Sequence, residues 1–155
     1  MSSILDAAGN RESNLYICMI QLDHMRDKRN YVKTLERWNK DLGISGAIIF
    51  CGKGKIFLIL IGSQNNLRDF QRRLKTSNVD VDSRGRPCKE KLSKVLCCDL
   101  LETIMGNQTH HNEILGNNDK HNLRLYELQD NNESLKKCFC DIKLEVLYVK
   151  YVHLK

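Results

Sequence analysis

Thiol and imidazole side chains are the groups in this sequence that could carry out covalent chemistry. Cys97 and Cys98 are adjacent, and so are His110 and His111. A cysteine nucleophile needs a neighbouring base and a lowered pKa. The two thiols, however, fall in a predicted core strand, and the two imidazoles fall in a predicted loop. The sequence therefore nominates no catalytic residue, and we expect the chain not to be an enzyme.

The same residue types could also bind a metal ion. Cys138 and Cys140 are separated by one residue, whereas structural zinc sites usually pair two Cys-x-x-Cys motifs. The predicted loop adds His110, His111, Glu113 and His121. Packing on a short helix explains the cysteine pair better, and polar loops often collect such residues. We therefore expect no metal site and no cofactor.

The chain has seven cysteines, an odd number, and several of them lie within apolar runs. The N-terminus has neither the basic region nor the long apolar core of a signal peptide. We therefore expect reduced thiols that act as small apolar side chains, in a protein of the cytoplasm and nucleus. No apolar stretch approaches the roughly 20 residues that a transmembrane helix needs, so no membrane partner is expected.

Basic side chains are the main candidates for binding. Apolar residues recur at helical spacing over Met25–Leu42, and the pattern ends at Gly43, a residue typical of helix C-termini. The cations on the opposite side, called the basic ridge, are Arg26, Arg29, Lys33, Arg37 and Lys40. Lys53 and Lys55, near a predicted hairpin turn, extend the ridge. An ordinary solvated helix face has the same pattern, so the ridge alone does not establish binding.

Charge is distributed unevenly along the chain. Residues 25–94 contain 17 Lys and Arg against 7 Asp and Glu, whereas the remainder contains 8 against 12. Such an asymmetry favours an acidic partner for the first half of the chain, either RNA or the surface of an acidic protein.

The elements that must position these side chains follow the order βαββαβ over residues 14–84. Strands are predicted at Leu15–Leu22, Ile44–Cys51, Lys55–Ile61 and Val79–Asp82, and a second helix around Leu67, Phe70 and Leu74. Short connections in this order favour an α+β, ferredoxin-like fold, in which both helices cover one face of an antiparallel sheet. Since the first and third strands are apolar on both sides, the second half of the chain is expected to cover the other face.

Residues 88–155 are predicted to extend this core within a single domain of residues 14–155. The extension comprises a β-hairpin of Leu92–Glu102 and Asn122–Gln129, a helix from Asp130 or Asn131 to Asp141, and a final strand at Ile142–Leu154. Residues 1–13 are predicted to form a flexible N-terminus, and residues 106–121 a mobile loop.

Four segments carry a family resemblance: LDHMRDKRNYVK, LERWNKDL, GKIFLILIGSQNNL and KTSNVDVDSRGRPCKEKLSKVL. Over about Leu22–Leu96 the chain resembles the C-terminal half of the RWD-containing sumoylation enhancers. The resemblance implies a role in the assembly of SUMO-conjugation complexes. In that family, binding of the SUMO-conjugating enzyme belongs mainly to an N-terminal RWD domain, which we expect to be absent from this chain.

More distantly, the chain is similar to the C-terminal domain of a spliceosomal ribonucleoprotein processing factor. That resemblance implies a ferredoxin-like core that binds RNA through basic residues. RNA readers of this fold also stack bases on aromatic residues of the first and third strands. Here Tyr16 and Phe57 are the aromatic candidates, so RNA is expected along the charged helix and loops rather than on the sheet.

Two short motifs fit a SUMO setting. Ile142–Glu145 matches the apolar-Lys-x-Glu acceptor pattern and makes Lys143 a possible SUMO acceptor. Val146–Val149 resembles a SUMO-interacting strand that adds to a sheet edge. Both overlap an apolar segment that the domain itself is expected to bury. We therefore expect a non-enzymatic module that presents the basic ridge to the SUMO-conjugation machinery or another acidic protein, with RNA binding as the alternative.

Overall fold

The computed structural model describes residues 14–106 and 122–152, and the fold within them is α+β. The strands are β1 (Tyr16–Leu22), β2 (Ser45–Phe50), β3 (Ile56–Gly62), β4 (Asn78–Val81), β5 (Pro87–Lys89), β6 (Ser93–Leu100) and β7 (Leu123–Glu127). The helices are α1 (Lys28–Leu42), α2 (Gln64–Thr76), α3 (Leu101–Met105), α4 (Asn132–Asp141) and α5 (Glu145–Leu147), which continues as one π-helical turn at Tyr148–Val152. The predicted flexible N-terminus at 1–13 lies outside the described residues, as does nearly all of the predicted loop at 106–121.

A five-stranded sheet in the order β6-β1-β3-β2-β7 forms the centre of the fold. Its strands pair antiparallel, except that β7 runs parallel to β2. The prediction of a ferredoxin-like α+β core is confirmed. One detail is wrong: β4 pairs with β5 in a separate two-stranded sheet, and β6 takes the position beside β1.

Helices α1 and α2 cover one face of the sheet, as predicted. Trp38 of α1 and Phe70 of α2 meet edge to face, with ring centroids 5.5 Å apart. Local sequence sets the helix ends: Gly43 adopts the left-handed φ of 62° after α1, and Ser63 accepts a hydrogen bond from the N–H of Asn66 at the start of α2. Gly43 is the predicted helix end, and Ser63 is a residue type that favours the N-cap position.

Helices α3, α4 and α5 cover the opposite face, so the second half of the chain supplies the predicted second layer. Phe139 of α4 is fully buried and packs edge to face on Phe57 of β3, with centroids 6.2 Å apart. Every residue of β3 is buried as a result. This double cover explains why β1 and β3 are apolar on both sides.

The predicted C-terminal strand and hairpin are wrong. Residues 145–152 form helical turns rather than a strand, and Leu144, Leu147 and Tyr148 are buried at the spacing of a helix face. Lys143, just before these turns, has a left-handed φ of 64°, which interrupts an extended chain. Strands β6 and β7 lie at opposite edges of the main sheet and cannot form a hairpin with each other. The helix predicted to end at Asp141 is confirmed as α4, with Asn131 capping the N–H of Ser134.

Candidate interaction surface

The basic ridge lies on the solvent side of α1. Four of its cations, Arg29, Lys33, Arg37 and Lys40, are on the helix and are all exposed. The helix buries its opposite side, including Leu35 and Trp38. At about 100° per residue, the four cations fall within roughly a quarter of the helix circumference. The fold therefore displays these charges together on one outward face.

These four cations form no ion pair with any residue in the described ranges 14–106 and 122–152. Neighbouring cations, by contrast, form ion pairs within the fold. Lys28 pairs with Glu127 and lies over the Phe50 ring, and Arg73 bridges to Asp41 across the two helices at 3.6 Å. Within the described residues, the ridge cations are thus not engaged in ion pairs as Lys28 and Arg73 are.

A buried carboxylate fixes the chain just before α1. Asp80, which is 9% exposed, accepts hydrogen bonds from the backbone N–H groups of Arg26 at 3.1 Å and Asp27 at 2.8 Å. The Arg26 side chain is exposed and close enough to Asp82 to help lower that carboxyl's pKa, for which the main cause is the backbone N–H of Arg86. The backbone of Arg26 is thus fixed by Asp80, and its guanidinium lies near the carboxylate of Asp82.

The two hairpin lysines differ in their surroundings. Lys53 is exposed at the β2–β3 turn, whereas Lys55 pairs with Asp130 at 3.0 Å, and this contact raises the lysine's pKa. The N–H of Gly54 donates to the carbonyl of Asp23 at 3.1 Å, which places the turn beside the segment that leads into α1. Lys53 therefore remains a candidate extension of the ridge, and Lys55 is already engaged within the fold.

An open groove of about 500 Å³ runs between α1 and the start of β7. Its lining in the described part of the chain is Lys33, Glu36, Arg37, Lys40, Asn122, Leu123 and Arg124. Sequence reasoning missed Arg124, because it is far from the helix in the chain. The parallel pairing of β7 with β2 brings it there, opposite Ala47. The groove offers four cations and one carboxylate to an acidic ligand.

The SUMO-related motifs lie on the helical C-terminal segment. Lys143 is exposed, but Ile142 before it is buried against the core. In Val146–Val149 the two central side chains, Leu147 and Tyr148, are buried. That stretch is helical and cannot add to a sheet edge in this conformation. Lys143 remains a prediction as an acceptor site.

The aromatic pair suggested for base stacking is split between the two faces of the sheet. Tyr16 packs beside the layer of α1 and α2, whereas Phe57 belongs to the layer of α3–α5 and is 3% exposed. These two rings cannot form one stacking platform. RNA binding along the charged helix and loops stays a prediction.

The candidate chemical groups are dispersed. His110, His111, Glu113 and His121 lie outside the described residues. Cys138 is buried in the core, where burial raises its pKa to about 11, and Cys140 is partly exposed. Within residues 14–106 and 122–152, no three His, Cys, Asp or Glu side chains are grouped as metal ligands. The same described residues include no helix with the length and hydropathy to cross a bilayer.

Sequence comparison finds relatives for most of the chain, although no protein-family profile matches it. It is 41% identical over 138 residues to RWD domain-containing protein 3 of Homo sapiens, covering 88% of this chain and 49% of that protein. Identity to the protein of the same name in Xenopus tropicalis is 45% over 94 residues, covering 61% of this chain and 34% of that protein. The chain thus spans at most about half the length of these relatives and matches their C-terminal part.

Structure comparison supports the fold alone. The chain superimposes on BlrP1 of Klebsiella pneumoniae, solved as a calcium/cy-diGMP complex, with a TM-score of 0.52 and 16% identity. The match covers 83% of this chain and 28% of that one. The sequence matches show more than a shared fold: most of this chain is similar to the C-terminal part of RWD domain-containing protein 3.

Proposed function

We propose that the chain is a non-enzymatic interaction module that supports assembly of SUMO-conjugation complexes by presenting the basic ridge to an acidic protein surface. The observation that carries the proposal is the row of exposed cations on α1 without ion-pair partners in the described residues. The relatives' name and the sequence resemblance to sumoylation enhancers support the biological setting. The proposal includes the sumoylation-enhancing role implied by the resemblance. It also includes a location in the cytoplasm and nucleus.

The physical character of the ridge indicates a salt-sensitive interaction. Exposed ion pairs contribute roughly 0.2–1 kcal/mol each, so several pairs are needed for useful affinity. Complementary charge acts mostly on the association rate and on partner choice. We therefore expect modest affinity that weakens between low and moderate salt.

Charge reversal on the ridge tests the proposal. The variant K33E/R37E should weaken binding to the SUMO-conjugating enzyme by about tenfold or more at low salt, because each reversal replaces attraction with repulsion. The control K136E/K137E changes the same charge at exposed positions of α4, on the other side of the sheet. Isothermal titration at two salt concentrations measures both. Equal loss in the two variants, or none in K33E/R37E, would contradict a specific role of the ridge.

RNA is the second candidate, because the same cations could follow a phosphate backbone. Each single-strand phosphate contact contributes roughly −0.7 to the slope of log K against log salt. If RNA is the partner, we expect a structured RNA to bind the wild-type chain with a steep slope that K33E/R37E flattens, while the conjugating enzyme does not bind. Tight enzyme binding together with weak, non-specific RNA binding would favour the protein partner.

A further inference from the structure

Two cysteines from distant parts of the chain meet across the sheet. Cys18 of β1 lies directly opposite Cys98 of β6 in the antiparallel register. Both side chains point toward α2, where the amide nitrogen of Gln71 lies 3.5 Å from the Cys18 sulfur and 3.7 Å from the Cys98 sulfur. Each thiol also shifts the pKa of the other. They therefore form one site rather than two separate core thiols.

The hydrogen-bond ladder places this pair at a position where a cross-strand disulfide can form. The N–H of Leu101 donates to the carbonyl of Leu15 at 2.9 Å, so Leu15 and Leu101 are a hydrogen-bonded pair of the β1–β6 ladder. Hydrogen-bonded and non-bonded pairs alternate along an antiparallel ladder, which makes Cys18 and Cys98, three positions further, a non-bonded pair. In such pairs the Cα atoms are about 4.5 Å apart and the side chains are close, within the span that a disulfide bridges.

The two sulfurs differ in access and in acidity. Cys98 is exposed, whereas Cys18 is fully buried. The hydrogen bond from Cys18, with smaller help from Gln71 and Arg68, lowers the pKa of Cys98 to about 6. The same hydrogen bond and burial raise the pKa of Cys18. An outside reagent therefore meets the more reactive thiol first.

We propose that Cys98 is a thiol-modification site for small-molecule disulfides such as glutathione disulfide, and that Cys18 is its resolving cysteine. The Cys98 thiolate attacks one sulfur of glutathione disulfide, the disulfide bond breaks, and one glutathione thiolate leaves. The Cys18 sulfur then gives up its proton to that thiolate and attacks the Cys98 sulfur, which releases the second glutathione. Two protein thiols are oxidised to one disulfide, and glutathione disulfide is reduced to two glutathione molecules.

Cys97, the sequence neighbour of Cys98, provides a matched control. Adjacent strand residues point to opposite faces, and Cys97 packs with the layer of α3–α5. Burial raises its pKa to about 11. It should neither react first nor bridge to Cys18.

The test uses the purified, fully reduced chain incubated with glutathione disulfide. Free thiols are then blocked with N-ethylmaleimide, and the digest is mapped by mass spectrometry. Wild type and C97S should both give a Cys18–Cys98 cross-link. C18A should instead accumulate a glutathione adduct on Cys98, and C98S should give neither product at these positions.

A stable glutathione adduct on wild-type Cys98, or an unmodified Cys98, would overturn the proposal. So would a Cys97–Cys98 linkage as the main product. The cross-link in wild type and C97S decides the matter even if C18A fails to fold, because both of those chains keep the buried cysteine.

Discussion

At the scale of single residues, the environment of Cys98 makes a prediction about pH. Only the thiolate is alkylated, and the hydrogen bond from Cys18 stabilises the Cys98 thiolate. The rate of Cys98 alkylation by iodoacetamide should therefore rise through a midpoint near the pKa of about 6 and be level above it. Peptide mapping after short exposures at a series of pH values measures this.

Cys97 and Q71L are the controls for that experiment. Cys97 should stay unreactive across the same range, because its pKa is raised to about 11. Q71L removes one donor to the Cys98 sulfur and should shift the Cys98 midpoint upward. A midpoint for wild-type Cys98 at the ordinary thiol value of about 8.5 would contradict the assigned environment.

Asp80 makes a second prediction at this scale, one about stability. Its carboxylate accepts the two backbone N–H groups that lead into α1. D80A leaves the partly buried N–H groups of Arg26 and Asp27 without this acceptor. It should lower the free energy of unfolding by about 1–3 kcal/mol. D80N keeps one acceptor oxygen and should lose less. Urea denaturation of the two variants measures the difference, and an unchanged midpoint for D80A would show that these hydrogen bonds are dispensable.

At the scale of elements, most of the first half could be predicted and the C-terminal segment could not. The helix stop at Gly43 and the cap at Ser63 depend on local chemistry, so they are visible in the sequence. Residues 142–152 show apolar side chains that suit either a strand or a helix. The choice depends on the core that they fill, where Leu144 and Leu147 are fully buried. Tertiary packing decided this element, and local propensity did not.

Helix α4 makes a prediction at the same scale. Phe139 is fully buried between Phe57 and Tyr148, with ring centroids at 6.2 and 5.9 Å. F139A should therefore lower the free energy of unfolding by about 3–5 kcal/mol. K137A, an exposed position on the same helix, should change it by less than about 0.5 kcal/mol. Chemical denaturation followed by the fluorescence of Trp38 reports both, and a loss below about 1 kcal/mol for F139A would mean that the second layer contributes little.

At the scale of the whole molecule, the candidate surface was only partly predictable. The ridge on α1 follows from helical periodicity, since one face must be buried and the charged face must not be. Arg124 joins it only because β7 adds in parallel to β2, and the pairing of Cys18 with Cys98 requires the register of β1 with β6. Both are long-range relations, and no local pattern in the sequence contains them.

The anchoring of the ridge at its backbone has a consequence for binding kinetics. Asp80 holds the chain before α1, and the β2–β3 turn is tied to the same segment through Gly54 and Asp23. The segment before α1 therefore needs no ordering when a partner binds, and the entropy lost at that segment is confined mainly to long side chains. We expect association with an acidic partner to be fast and steered by charge. Variants of the interface should then differ mainly in the dissociation rate constant rather than in the association rate constant.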